Sequence, residues 1–274
     1  MIASLFLAFT DFTLSDLSPN WVGFSNFQRA LSGKDDLFWS SLLRTLRYAI
    51  ITVPLGIGGA LLAAIALNQG LRLTTLFRTL FFLPSLTPVV ASAVIWAWLY
   101  NADWGLLNYM LSLVGIQGPK WISDSDTAMM SLIIVALWGI IGGNVMIIFL
   151  AGLQGVPREL HEAAEIDGAN TLQRFRAVTL PMISPTIFFN LVIGIIAALK
   201  VFAVAVVMTN GGPSYSTWFF ILHLYNNAFQ AYDMGYASAL AWIFMAVVVT
   251  LTVVNLRFSN RWVYYEGDNR KDDR

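Results

Sequence analysis

A chain of 274 residues that is 57% hydrophobic and only 12% charged, with a mean hydropathy of +0.67, is no soluble domain; such values belong to polytopic membrane proteins. Its zero formal net charge and pI near 6.7 give no argument for a nucleic-acid partner. Without cysteine it has neither disulfides nor thiolate metal sites, and its two histidines, His161 and His223, lie too far apart in sequence to suggest a metal centre.

Residues 1–10 are apolar but shorter than half the ~20 residues a crossing helix needs. They are expected to be the outer end of a first span that begins upstream, with a short interfacial helix as the alternative. No basic start or Ala-x-Ala end marks a cleaved signal peptide. Residues 11–47 are mixed, with Trp21, Phe24, Phe27, Phe38 and Trp39 suited to an interfacial aromatic belt. Five spans are predicted after them, over about 48–67, 80–100, 128–151, 183–208 and 236–256. The expected fold class is all-α: a polytopic transmembrane helix bundle of five complete spans plus a partial first.

The spans are not uniform rods. Span 48–67 carries Pro54 and a row of Gly56, Ala60 and Ala64; span 128–151 carries Gly139 and Gly143 at the same spacing. Such rows allow close helix approach, whether for plain packing or at a moving pore interface. Pro84 and Pro88 should break the ladder of span 80–100. Asn190, Gly194 and Ala198 form a small, polar row in span 183–208, suited to facing a cavity. Trp138, Gly142 and Asn144 combine a flat aromatic surface with hydrogen-bonding groups, the two features a sugar needs. Interhelical packing accounts for the same residues, and both readings stand. Lys200 is the only basic residue inside a span; it falls near the outer end, where snorkelling competes with substrate contact. No predicted span contains Asp or Glu, which counts against a proton-coupled secondary transporter but not against a uniporter.

Residues 158–181 form a polar island between two of these spans. Arg158, Glu159, Glu162, Glu165, Asp167, Arg174 and Arg176 would each cost roughly 2.5–3.5 kcal/mol at a bilayer centre, so the island lies outside the hydrocarbon. Its pattern is helix, turn, helix. Pro157 fits a first helical position, acids crowd the first turn, and Gly168 suits the left-handed residue that ends such a helix. Asn170 or Thr171 can cap a second helix carrying Leu172, Phe175 and Val178, which Leu180-Pro181 should stop. Adjacent Ala163 and Ala164 offer a smooth patch for another protein.

Basic residues set the orientation. Arg72, Arg78, Arg158, Arg174, Arg176, Arg257, Arg261, Arg270, Lys271 and Arg274 lie on one side; Arg29, Lys34, Arg44, Arg47 and Lys120 lie on the other. Ten against five puts the 158–181 loop and the charged tail at 257–274 in the cytoplasm.

Glu162-Ala163-Ala164, Gly168 four residues later and Leu180-Pro181 resemble the EAA loop of ABC-importer permeases, with Val178 where the family usually has isoleucine. The string from Thr209 through Asn210-Gly211-Gly212-Pro213 to Thr217 resembles an outer loop of carbohydrate permeases. So do Phe77-Arg78-x-x-Phe81-x-x-Pro84, Gly105-Leu106-Leu107-Asn108 and Gly235-Tyr236-Ala237-Ser238-Ala239, and the likeness covers nearly the whole chain. It is closest in kind to the maltose and glycerol-3-phosphate type. The resemblance implies a coupling helix-turn-helix whose Glu162, Ala163, Ala164, Asp167, Gly168, Leu180 and Pro181 meet a cytoplasmic ATPase. It also implies a second homologous permease subunit, two ATP-binding subunits, an extracytoplasmic solute-binding protein and a place in the bacterial inner membrane. The expected solute is a sugar or sugar derivative, with glycerol 3-phosphate or another polar solute as the alternative.

No Gly-x-x-x-x-Gly-Lys-Ser/Thr occurs, and the single Gly-Lys pair, Gly33-Lys34, is followed by Asp35-Asp36. ATP and magnesium are therefore expected on partner chains, with no cofactor or catalysis on this one. A membrane-embedded enzyme would need acid clusters, whereas Asp35-Asp36 and Asp272-Asp273 read as isolated pairs.

Overall fold

A computed structural model describes residues 1–15, 18–69, 74–259 and 262–264. In chain order the helices are α1 (Ile2–Leu7), α2 (Ser25–Leu31), α3 (Phe38–Leu67), α4 (Thr74–Leu86), α5 (Val89–Leu99), α6 (Leu106–Leu113), α7 (Ser125–Ile141) and α8 (Asn144–Gln154). There follow α9 (Arg158–Ile166), α10 (Thr171–Arg174), α11 (Leu180–Met182), α12 (Ser184–Leu199), α13 (Ala203–Met208), α14 (Phe220–Tyr225) and α15 (Met234–Ser259). Among the described residues the extended pairing is one isolated antiparallel bridge, Thr10 with Trp21.

The all-helical class agrees with the sequence reading, and the boundaries differ for identifiable reasons. Among the described residues, Phe38–Leu67, Ser125–Gln154 and Met234–Ser259 are long and apolar enough to cross a membrane; two further broken pairs bring the total to five if each counts as one span. The helix expected over 48–67 begins ten residues earlier, at Phe38. Hydropathy stops at Arg44 and Arg47, but backbone geometry does not: Arg44 Nη1 donates to Ser40 Oγ at 2.9 Å, one turn back.

The span expected over 80–100 is two helices that part at Thr87–Pro88, where Pro88 has φ −54° and ψ 136°. Pro84 does not break the backbone; it sits inside α4. The span over 128–151 is interrupted at Gly142-Gly143, Gly143 being extended at φ −99° and ψ −154°. The span over 183–208 ends its first helix at Leu199 and resumes at Ala203, with Phe202 at φ −147° and ψ −66°. Exposed Lys200 occupies that gap, as snorkelling requires. Of residues 1–10, six are helical. Arg72, Arg261 and the tail at 265–274 lie outside the described residues.

The helices cluster into two compact units. One comprises residues 1–51, 88–135 and 196–251. Its core is aromatic: Phe220 stacks on Phe244 with centroids 4.7 Å apart, meets Phe38 edge-on at 5.6 Å, and donates its N–H to Thr45 Oγ1 at 2.9 Å. Buried Asn26 donates to the carbonyls of Ala8 (3.0 Å) and Thr10 (2.9 Å), fixing the segment that follows α1. In the loop before α3, the Asp35 carboxylate accepts from Tyr236 Oη at 2.5 Å, His223 Nε2 at 2.7 Å and the Leu37 N–H at 3.0 Å.

The other unit comprises residues 52–87, 136–195 and 252–274. Here the small-residue row of α3 does what its spacing suggests: Gly56, Ala60 and Ala64 are buried. A Cβ on Gly56 would stand 2.8 Å from Ile140 Cγ2, whose β-branched side chain has little rotamer freedom in a helix. Gly139, by contrast, has nothing within 4 Å of a Cβ. Gly56→Leu should lower stability by about 1–3 kcal/mol through overpacking. Gly139→Ala should be neutral or stabilising. Thermal unfolding of the two variants in detergent, read by tryptophan fluorescence, checks the contrast.

Candidate functional site

The polar island folds as a helical hairpin within the second unit, and its turn is built from ordinary capping chemistry. Pro157 is the residue just before α9 rather than its first, at φ −58° and ψ 136°. After Ile166 the chain closes with the Ala169 N–H on the Ala164 carbonyl and the Gly168 N–H on the Glu165 carbonyl, both at 3.0 Å. That double closure requires a left-handed residue, supplied by Gly168 at φ +80°.

Asn170, one of the two residues proposed for the role, caps α10. Its Oδ1 accepts from the Gln173 N–H at 3.0 Å, and Gln173 Oε1 accepts from the Asn170 N–H at 2.8 Å. Arg174 Nη1 then meets Glu165 Oε2 at 2.6 Å, tying the second helix to the first across the turn. At this exposure the pair is worth little by itself, under about 1 kcal/mol.

Leu180-Pro181 does not stop the second helix. Phe175–Thr179 forms a π-helical turn in which the Leu180 N–H reaches the Phe175 carbonyl, and the chain stays helical through Met182. The wider turn carries the backbone past the proline, whose missing N–H would otherwise leave a gap in an α ladder. The helix ends one residue later, at Ile183, and α12 leaves at 64° to it.

The expected coupling residues are gathered on this hairpin. Glu162, Ala163, Asp167, Gly168 and Leu180 are exposed; Ala164 and Pro181 are half-buried. Apolar residues lie beside them. Ile166 is 85% exposed and Leu172 58% exposed, on a loop otherwise rich in charge. Leu172 is expected on the apolar side of its helix, yet the described residues leave it more than half exposed. An uncovered apolar surface ringed by charge is what a docking partner covers.

The substrate-pathway residues divide into two sets. Asn190 is 3% exposed, and its Nδ2 donates to the Thr186 carbonyl at 2.9 Å in its own helix. A Cβ on Gly194 would lie 3.5 Å from Val53 Cγ1 and 3.8 Å from Ile57 Cδ1, and Ala198 is buried. That row therefore packs at least in part on the chain itself. Gly142 is buried too, 3.2 Å from Pro84 Cγ by the same measure. Trp138 and Asn144 remain exposed on either side of the interruption between α7 and α8. No group of three or more metal-ligating side chains occurs among the described residues.

Residues 38–264 match the family described as binding-protein-dependent transport system inner membrane component. The chain belongs to that family. It is similar to the probable ABC transporter permease protein YesP of Bacillus subtilis, with 41% identity covering 97% of this chain and 86% of the relative. It is 32% identical to the trehalose/maltose transport system permease protein MalF of Thermococcus litoralis, covering 86% and 79%. Its fold is similar to that of a chain in the crystal structure of a bacterial alginate ABC transporter bound to an alginate-loaded periplasmic protein. There the TM-score is 0.80 at 22% identity, over 87% of this chain and 83% of that one. As an inner-membrane component of a binding-protein-dependent transport system, the permease accounts for its apolar helices and for a polar hairpin held between them.

Proposed function

We propose that this permease is one half of the heterodimeric membrane pore of an ATP-driven sugar importer. It would pair with a second homologous permease, two cytoplasmic ATP-binding subunits and an extracytoplasmic solute-binding protein. Residues 1–274 act as one permease domain, with five spans after the short N-terminal helix and a cytoplasmic tail from 257. ATP and magnesium act on the partner ATPases, and this chain catalyses nothing.

The observation that carries the reading is the hairpin at 158–181. It combines a glycine-closed turn, an internal ion pair and uncovered Ile166 and Leu172. Glu162, Ala163, Ala164, Asp167 and Gly168 form the face that an ATPase cleft receives, and Leu180 and Pro181 join that face to α12. Closure of the ATPases then pushes the hairpin, and the spans rock between inward- and outward-facing forms. Relatives named for trehalose and maltose support a sugar as the solute. Exposed Trp138 and Asn144, at the break where Gly142 packs, are the pathway residues with free access; Asn190, Gly194 and Ala198 serve that pathway through helix packing.

The test reconstitutes the chain with its partner permease, the ATPases and the binding protein. Saturated binding protein should stimulate ATP hydrolysis and sugar uptake together. Uptake that proceeds without ATP hydrolysis would refute the proposal in favour of a uniporter.

A further inference from the structure

The second unit contains a cleft of ≈ 240 Å³ between the hairpin and the ends of α3 and α8. Its polar lining is Asn68, Gln69, His161, Thr171, Arg174 and Thr179. Except for Arg174, none of these side chains has a hydrogen-bond or charge partner among the described residues. Thr179 is the telling one. The residue is 8% exposed and lines the cleft, and its hydroxyl has no hydrogen-bond partner among the described residues. A helical threonine commonly bonds to the carbonyl four residues back, as Thr209 does to Ala205, but Thr179 makes no such bond.

The lining also has a sign. Among the described residues it includes no carboxylate. The nearby Glu165 engages one terminal nitrogen of Arg174 at 2.6 Å, leaving further guanidinium N–H groups for a second acceptor. Amide, hydroxyl, imidazole and guanidinium groups can all donate, so the complementary ligand is rich in acceptors and negatively charged. The remaining wall is apolar, formed by Ile65, Leu153 and Phe175. Ile65 and Leu153 sit near the last residues of helices long and apolar enough to cross a membrane, at the level where lipid headgroups begin.

We propose that this cleft binds a phosphate group, with Arg174 and the Thr179 hydroxyl as its principal contacts and an anionic glycerophospholipid headgroup as its source. The assignment rests on the reading that residues 158–181 face the cytoplasm. A phosphate held there bridges the hairpin to the ends of α3 and α8, so its occupancy would govern how freely the hairpin moves.

The experiment uses the assembled complex in nanodiscs of phosphatidylcholine, with or without phosphatidylglycerol, and native mass spectrometry to count retained lipid. Wild type should hold one phosphatidylglycerol per copy of this chain. Thr179→Val should weaken retention roughly tenfold, the loss of one hydrogen bond to a charged group, and Thr179→Ser should restore it. In phosphatidylcholine alone, inorganic phosphate that raises the melting temperature of wild type but not of Thr179→Val would identify free phosphate as the source. No retained lipid and no phosphate response, or equal behaviour of Thr179→Val, overturns the site. Binding-protein-stimulated ATP hydrolysis, measured on the same wild-type sample, tests the importer reading separately.

Discussion

Cells carrying Gly168→Asp take up no solute while retaining normal amounts of the protein in the membrane. The expectation follows from where Gly168 sits. Its φ of +80° is open to glycine and strained for a side chain, at roughly 1–2 kcal/mol, with aspartate among the milder cases. Nothing among the described residues lies within 4 Å of a Cβ at this position, so the first atom of a side chain meets open space. A penalty of that size, on an exposed turn, leaves insertion and folding intact.

The same open space is what an ATPase cleft would occupy, and there the substituent adds both bulk and a second charge beside Asp167. Gly168→Ala separates the two contributions, because it imposes the backbone strain with one methyl group and no charge. Alanine should retain partial uptake and aspartate none, as measured by accumulation of labelled solute against the membrane level of the protein. Full uptake by Gly168→Asp would remove the hairpin from the coupling path.

Much of that hairpin was legible because its signals are local. Gly168 declares a left-handed turn, and Asn170 followed three residues later by Gln173 is a capping box in plain letters. Seven charges between apolar runs place the loop outside the hydrocarbon without any tertiary information. The failures arise where a non-local or backbone effect decides. The arrest expected at Pro181 is displaced by a π-helical turn, which no residue type announces. Asn190, Gly194 and Ala198 have the composition of a cavity wall, but whether a small row faces water or a neighbouring helix depends on Val53 and Ile57, more than 130 residues away in sequence. Asp35 reads as one half of an isolated acidic pair and His223 as one of two distant histidines; each finds its partner 188 residues along the chain.

That pairing makes Asp35→Asn the most damaging single polar substitution expected in the first unit. The side chains of His223 and Asp35 are 6% and 10% exposed, and three donors converge on the carboxylate. An asparagine keeps one acceptor oxygen and turns an N–H₂ toward groups that already donate. Breaking a buried charged pair from one side costs about 3–5 kcal/mol, and here the low end applies, since the cluster stays partly wetted. Asp36→Asn, on the exposed neighbour, should stay within about 0.5 kcal/mol.

The pH dependence has a definite sign. Burial alone would raise the Asp35 carboxyl, but the Tyr236 hydroxyl, the His223 charge and hydrogen bond, and the Leu37 N–H together hold it below its ordinary value of 3.8. A carboxyl depressed in the folded state leaves the unfolded chain binding more protons, so its stabilisation is complete above the ordinary value and drains away as pH falls through the folded one. The gap between wild type and Asp35→Asn, followed by thermal unfolding in detergent, should therefore hold from pH 7 to about 4 and narrow only below that. A gap that closed between pH 7 and 5 would hand control of the cluster to some other group, and a gap that persisted unchanged to pH 3 would mean that the ionised carboxylate is not what the three donors stabilise.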